Sequence, residues 1–335
     1  MSTIKDVAAK AGVTATTVSR VLNNRGYISN ETRKKVYWAM NELNYRPNEM
    51  ARFLSKQQTN YLGIILPSVE HPYFGKILHW FEHYATLQGY KVMVCISADS
   101  REKELEYIDM LHSNRVMGIV LCSRSGKLLD NFDASCPVIT FERELCESIP
   151  SILCDNFQGG MLATQCLIDA GCKHVAIFAG APELELPANL RVEAFTRTCA
   201  ERGVVGEVIY TDEEAFRSND YESYILETLQ ENPKLDGIFA TSDVMAAQII
   251  RVCHKLGKCI PEDICVIGFD DVYPSMITYP AITTIHQPVE EMCRYAVEMI
   301  VKKVNKEMVP SKVVLPVSLM RRESVRPAKN DWKYT

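Results

Sequence analysis

The chain has 335 residues, 47% hydrophobic and 24% charged, with a formal net charge of −5. That length suits two or three globular domains. No apolar run approaches the roughly 20 residues of a membrane span and the N-terminus has no signal-peptide core, so a cytoplasmic protein without a membrane partner is expected. The net charge hides an asymmetry. Residues 1–60 hold ten Lys/Arg against four Asp/Glu, a net of +6, while the remainder holds 27 against 38, a net of −11. A basic module on an acidic body is the pattern of a phosphate-binding head on a soluble regulatory body. Of the twelve cysteines no two form a C-x-x-C pair, and Cys95, Cys122 and Cys265 lie inside apolar runs. They read as small buried hydrophobes in a reducing compartment, not as disulfides or a zinc site.

The stretch Thr3 to Asn23, TIKDVAAKAGVTATTVSRVLN, reads as two short helices joined by a glycine turn. Thr3 with Asp6 makes the T-x-x-D form of a capping box, and Ile4, Val7, Ala8 and Ala11 share one helical face. Gly12 can take the positive φ that closes a helix. Thr14 offers a second N-cap, and Val18, Val21 and Leu22 give the next helix its own apolar stripe. Outward stand Ala15, Thr16, Thr17 and Arg20, short or hydrogen-bonding side chains with one guanidinium, which suit a major groove. A third helix is expected from about Glu31 to Asn44, capped by Ser29 or Asn30, with Val36, Ala39, Met40 and Leu43 inward.

That string resembles, nearly position for position, the headpiece of the lac repressor (LacI/GalR) family, and the rest of the chain continues as that family does. The resemblance implies a helix-turn-helix whose second helix reads a palindromic double-stranded DNA operator, bound by a homodimer. The expected contacts in the head are Thr3, Thr14, Ala15, Thr16, Thr17, Arg20, Asn23 and Tyr27, with Arg20 bidentate to a guanine. Pro47 ends the head, and Asn48 can cap the segment Glu49 to Lys56, too short to be a stable isolated helix. In the family this segment is a hinge helix that forms on the operator and wedges a leucine into the minor groove. Leu54 occupies that position here, with Asn48 and Ala51 beside it. On its residues alone the same segment reads instead as a flexible linker with an apolar residue that packs within the protein, and only the resemblance makes it a wedge.

From Tyr61 onward strand-like runs alternate with amphipathic helices: 61–66, 91–96, 116–121, 137–141, 174–179, 207–210, 237–240 and 265–269, with helices about 73–88, 101–113, 158–170, 189–202, 220–231 and 243–256 between them. Near-continuous apolar strands between such helices imply parallel sheets covered on both faces. So many βα units imply two lobes. The alternation resembles the type I periplasmic-binding-protein fold, in which the chain crosses between lobes three times, here near Asn156–Phe157, Gln287–Pro288 and Val317–Leu319. The expected fold class is therefore an all-α helix-turn-helix headpiece (1–47) and a hinge (48–60) before an α/β two-lobed body (61–328). Lobe 1 would comprise about 61–156 and 288–317, and lobe 2 about 157–287 and 318–328.

Ligands of open α/β sheets bind beyond the carboxyl ends of the strands. The residues there include His71, Tyr73, Phe74, Glu142, Arg143, Asp155, Asn156, Arg191, Ser242, Asp243, Asp270 and Asp271, and the expected effector contacts are His71, Tyr73, Phe74, Glu142, Arg143, Arg191, Phe216, Asp243, Asp270 and Gln287. Charged groups beside rings suit a polyhydroxylated ligand, although each charge taken singly also suits a helix cap, as Asp243 would. The family comparison raises Arg191, Asp243 and Asp270 as effector contacts; the family often has aspartate where this chain has Glu142. A charged strand end without a large ring to stack a base favours a sugar or sugar phosphate over a purine. No cofactor is expected.

Other readings stay open. His79-Trp80-Phe81-Glu82-His83 matches the H-x-x-E-H pattern of inverted zincins, but the same helix carries its own packing face and no third ligand is evident. No phosphate-binding glycine loop of either nucleotide type occurs. A solute-binding protein would share the body but not the basic head. Inside the family, a purine-responsive regulator and one whose corepressor is a phosphorylated carrier protein remain alternatives. The tail after Arg326 has no leucine heptad, so a dimer rather than a tetramer is expected.

Overall fold

The computed structural model describes residues 2–22, 25–46, 59–122, 136–182 and 185–328. The chain divides into two compact units, Met1–Thr59 and Asn60–Thr335.

The first unit holds three helices among its described residues: α1 (Ile4–Ala11), α2 (Ala15–Leu22) and α3 (Asn30–Glu42). α1 starts at a full capping box. The Thr3 N–H donates to Asp6 Oδ2 at 2.7 Å, while the Thr3 hydroxyl accepts from the Asp6 N–H at 3.4 Å. Gly12 closes the helix at φ 66°, a conformation in which a Cβ would be strained. α2 begins where Thr14 Oγ1 accepts from the Thr17 N–H at 3.1 Å, and α3 where Ser29 accepts from Thr32 at 3.2 Å. The buried core is Val7, Ala8, Ala11, Val18, Val21, Val36 and Ala39. These are all small side chains, and burying one valine contributes only about 1.5 kcal/mol. A cap at ~1 kcal/mol is thus comparable with a core residue here.

In the second unit the first sheet contains β1 (Tyr61–Leu66), β2 (Lys91–Ile96), β3 (Gly118–Leu121), β4 (Val138–Phe141) and β5 (Ser151–Cys154). Between and after them come α4 (Pro72–Leu87), α5 (Arg101–Ser113) and α6 (Asn156–Asp169). The second sheet follows with β6 (His174–Ala179), α7 (Leu190–Arg202), β7 (Val205–Tyr210), α8 (Glu213–Ser218), α9 (Glu222–Glu231), β8 (Gly237–Ala240), α10 (Asp243–Lys255), β9 (Cys265–Asp270), α11 (Pro274–Ile277) and β10 (Thr283–His286). The chain ends with α12 (Val289–Val304), β11 (Lys312–Leu315) and β12 (Ser318–Met320).

The strand orders are β11-β5-β4-β3-β1-β2 and β12-β10-β9-β8-β6-β7. Neighbours run parallel in both, except for the antiparallel edge pair β10–β12. The central strands β3, β4, β5, β8 and β9 are buried along their length, as apolar runs covered by helices on both faces must be. The chain leaves the first sheet between β5 and α6, returns between β10 and α12, and leaves again between β11 and β12. All three crossings lie at one end of the sheets, so the cleft between the lobes is walled by strand ends.

Candidate functional site

In the head, α2 presents Thr16 and Arg20 outward as exposed side chains. Ala15 and Thr17 are half-buried, Ala15 packing on the small core. Thr14 and Thr17 share a hydroxyl–hydroxyl bond of 2.9 Å, so both hydroxyls already serve the start of the helix. Thr3 is likewise committed to its capping box. Asp6 answers it: hydrogen bonds from the Thr3 backbone and hydroxyl hold its carboxyl below the ordinary range. Tyr27 is fully exposed beyond α2. Asn23, Asn48, Ala51 and Leu54 lie outside the described residues.

In the body, a cavity of about 140 Å³ opens at the strand ends of both sheets. Its rings and apolar walls include Phe74, Phe141, Phe216, Tyr221 and Met245. His71 from the first lobe lies nearly parallel to Phe216 from the second, with ring centroids 6.1 Å apart. The polar groups are fixed by two relays. Arg191 Nε donates to Asn156 Oδ1 at 2.7 Å and Nη1 to the Thr241 carbonyl at 3.0 Å. Its guanidinium lies 3.5 Å from the centre of the Phe269 ring, so face and edge are both held. Asn156 Nδ2 donates in turn to Glu142 Oε2 at 2.7 Å, and the Cys154 N–H donates to Glu142 Oε1. In the second relay Tyr73 donates its hydroxyl to Gln287 Oε1 at 3.0 Å, and Gln287 Nε2 donates to Asp270 Oδ1 at 2.7 Å.

Burial raises both cavity carboxyls: Glu142 goes up despite Arg191 and Asn156, and Asp270 goes well up, with Asp243 adding repulsion. Both also sit at positive φ, 48° for Glu142 and 109° for Asp270. Non-glycine residues rarely adopt this backbone, which aims their carboxylates inward from the strand ends. Glu142, Arg191, Asp270 and Gln287 all line the cavity, where their carboxyl, guanidinium and amide groups suit the hydroxyl groups of a ligand.

Eight of the ten residues expected at an effector line this cavity: His71, Tyr73, Phe74, Glu142, Arg191, Phe216, Asp270 and Gln287. Two do not. Arg143 is turned away into the first lobe, where Nη1 pairs with buried Glu104 at 2.8 Å. Asp243 is wholly buried behind the wall, accepting from the Thr284 hydroxyl and from the Val272 N–H at 2.8 Å. Nor does Asp243 cap its helix; Ser242, which does, lines the cavity instead. Asn156, read from sequence as following the strand with Asp155 and as a lobe crossing but not as an effector contact, is the hub of the first relay.

The H-x-x-E-H residues lie on the outer face of α4, where His79, Glu82 and His83 are exposed. Among the described residues no group of three or more His, Cys, Asp or Glu side chains is placed to hold a metal ion. No described helix is long and apolar enough to cross a membrane.

Residues 3–48 match the bacterial regulatory proteins of the lacI family, and residues 164–325 match a periplasmic-binding-protein-like domain. Over 322 residues, 96% of this chain and 99% of the other, the sequence is 34% identical to the sucrose operon repressor of Streptococcus mutans. The chain belongs to the lacI family of bacterial regulatory proteins. A second lacI-family relative is the HTH-type transcriptional repressor PurR of Pasteurella multocida, 35% identical over 334 residues, 97% of this chain and 99% of that one. Among solved structures, the lac repressor dimer bound to operator and the anti-inducer ONPF matches with a TM-score of 0.83 and 26% identity, over 97% of this chain and 99% of that one. This lacI-family chain is accordingly a DNA-binding transcriptional regulator, with a helix-turn-helix head and a two-lobed α/β body.

Proposed function

We propose that this protein is a cytoplasmic repressor of carbohydrate-utilisation genes that binds a palindromic operator as a homodimer and is controlled by a carbohydrate in the inter-lobe cavity. The observation that carries the effector reading is the meeting of Glu142, Arg191 and Asp270, each held on fixed partners, among aromatic walls. Carboxylates accept from sugar hydroxyls, a guanidinium donates to them, and rings pack on the apolar face of a sugar. The body binds its ligand without transforming it. In the head, Thr16 and Arg20 are the base-reading side chains, whereas Thr3, Thr14 and Thr17 fix the helices that carry them. Residues 48–60 act as the hinge, with Leu54 wedging the minor groove. The exposed apolar cluster Tyr273, Met276, Ile277 and Tyr279 on the second lobe supports a protein–protein contact within the dimer.

The test is a fluorescence-anisotropy titration of a labelled inverted-repeat duplex from the gene's own upstream region, with and without sugars. A sugar should change operator affinity roughly 5- to 150-fold, the ordinary range of coupling between two sites. No salt-sensitive preference for any inverted repeat, with or without sugars, would refute the regulator reading.

A further inference from the structure

Two buried thiols meet at the end of the second sheet that faces away from the cavity. Cys265 opens β9, and Cys172 lies on the turn between α6 and β6. Strand β8 runs between β6 and β9, and its first residue is Gly237. A Cβ at Gly237 would stand 3.0 Å from Cys172 Sγ, so the bare backbone there leaves the thiol its place across β8. The carbonyl of Asp236 touches both cysteines: the Cys172 thiol donates to it at 3.2 Å and the Cys265 N–H at 3.0 Å. The Asp236 carboxylate fixes the turn itself, accepting from the Lys173 N–H and the His174 N–H, each at 2.9 Å.

Arg326 closes the group. Its N–H donates to Cys265 Sγ at 3.5 Å and its Nη2 to Cys172 Sγ at 3.4 Å. Its Nη1 is held by the carbonyls of Pro261 and Glu262 at 2.7 and 2.8 Å, which anchors the positive charge beside both sulfurs. A hydrogen bond from Cys172, together with the N–H and the charge of Arg326, outweighs burial and the nearby Asp236 carboxylate and brings Cys265 down to about 7. Cys172, the donor, goes up. Burial alone does the opposite to Cys166 of α6, which faces Cys265 and is raised to about 11. The thiolate is the nucleophilic form, so the two sulfurs have different chemistry although they touch.

We propose that Cys265 and Cys172 form a reversible oxidation site, closed to a disulfide by a hydroperoxide, with Cys265 as the attacking sulfur and Cys172 as the resolving one. The Cys265 thiolate attacks one oxygen of hydrogen peroxide. An S–O bond forms, the O–O bond breaks, and hydroxide leaves and takes up a solvent proton. Cys172 then attacks the sulfur of the sulfenic acid. Its thiol proton goes to the departing hydroxide, the S–O bond breaks and the S–S bond forms. Two thiols are oxidised and one peroxide is reduced to two waters. A dithiol reductant reverses the step by thiol–disulfide exchange. Hydrogen peroxide is little larger than water, and the Arg326 side chain against the two sulfurs is only half-buried. The crosslink joins the end of α6 to the start of β9, the two elements whose other ends carry Asn156 and Asp270.

The test is peptide mapping of the full-length protein. Reduced protein is treated with hydrogen peroxide, blocked by alkylation and digested without reductant. A linked peptide pair containing Cys172 and Cys265 should form, and dithiothreitol should abolish it. The exposed Cys146 and Cys259 serve as internal controls. A peroxide dose that oxidises them and yields no linked pair overturns the proposal. Cys172→Ala separates the two roles: Cys265 should then accumulate as a sulfenic acid that dimedone traps, and a folded variant without that adduct overturns the assignment of the attacking sulfur. Ultraviolet thiolate absorbance should show a one-thiol step near pH 7 in the wild type. That step should vanish in Cys265→Ala and move up by roughly one pH unit or more in Cys172→Ala, where the donor is lost. No such step, or one that Cys172→Ala leaves unmoved, overturns the pairing of the sulfurs. Should either variant fail to fold, the mapping of the wild type decides alone.

Discussion

Asp243 and Asp270 stand at neighbouring strand ends of the second lobe, yet their surroundings divide their roles. Asp270 reaches the cavity, whereas Asp243 spends its oxygens on Thr284 and Val272. Burial outweighs those hydrogen bonds and pushes the Asp243 carboxyl up to about 7, from an ordinary 3.8. The folded protein then holds a proton at this site that the unfolded chain releases between those two values, so stability falls as pH rises through the interval. Between about pH 5 and 7 the loss should reach ~1.4 kcal/mol per pH unit from this group. Chemical denaturation at several pH values should show that slope in the wild type and a flatter one in Asp243→Asn, whatever the variant's absolute stability. Asp271 shows the opposite case. Burial raises it, but hydrogen bonds from His286 and Arg322 outweigh burial and hold its carboxyl well below the usual range. Its stabilisation is present above the ordinary carboxylate range and is lost only as pH falls into strong acid, outside the window used for Asp243.

Helix α6 carries Gly160 where it meets α7. A Cβ there would stand 2.6 Å from the Arg191 carbonyl oxygen and 2.8 Å from its Cα. Backbone cannot yield as a flexible side-chain end can, so Gly160→Ala should push α7 outward and carry Arg191 with it. The expected cost is about 1–3 kcal/mol of body stability, with weaker sugar binding; calorimetric titration and thermal melts read the two separately. In the head, Thr3→Ala removes one side of the capping box and should cost ~0.5–2 kcal/mol in a unit with a small core, read as an earlier melting step. Arg20→Ala should leave that step in place. It should instead cost ~1–3 kcal/mol of operator affinity and relax preference at one base pair per half-site, checked with single-base operator variants; equal loss across all variants would mean that Arg20 holds only phosphate.

These same elements show what was readable from residues alone. The caps of α1 and α2, and the apolar runs of β1, β2, β6 and β8, were legible because each is a local pattern with a local cause. Strand β10 (TTIH) was not, since two threonines and a histidine dilute its apolar run, and its burial comes from β9 and β12 on either side. The edge strands β11 and β12 have few buried side chains and carry little pattern. In the cleft, position after a strand found most of the charged lining but could not say which way a side chain turns. Arg143 went to Glu104, a partner 39 residues away that no spacing rule connects to it.

At the scale of the molecule, a head with net charge +6 precedes a body of −11. Operator affinity should therefore fall steeply with salt, the logarithmic slope reporting about 0.9 per phosphate neutralised, whereas affinity for an uncharged sugar should hardly move. Titrating DNA and sugar across the same salt series separates the two. The lobes also touch outside the cavity, where Lys76 Nζ on α4 donates to the Asp271 carbonyl at 2.9 Å, so closure is held by more than the ligand.

Two of the relay residues, Asn156 and Gln287, belong to the very segments by which the chain passes from one sheet to the other. Recognition and articulation thus share the same covalent joints. A genetic screen for regulatory phenotypes should find that substitutions at these two positions never yield clean classes. Alleles deaf to the sugar and alleles locked in one DNA-binding state should arise at the same codons, according to the side chain installed, whereas Asp270 alleles should be deaf only.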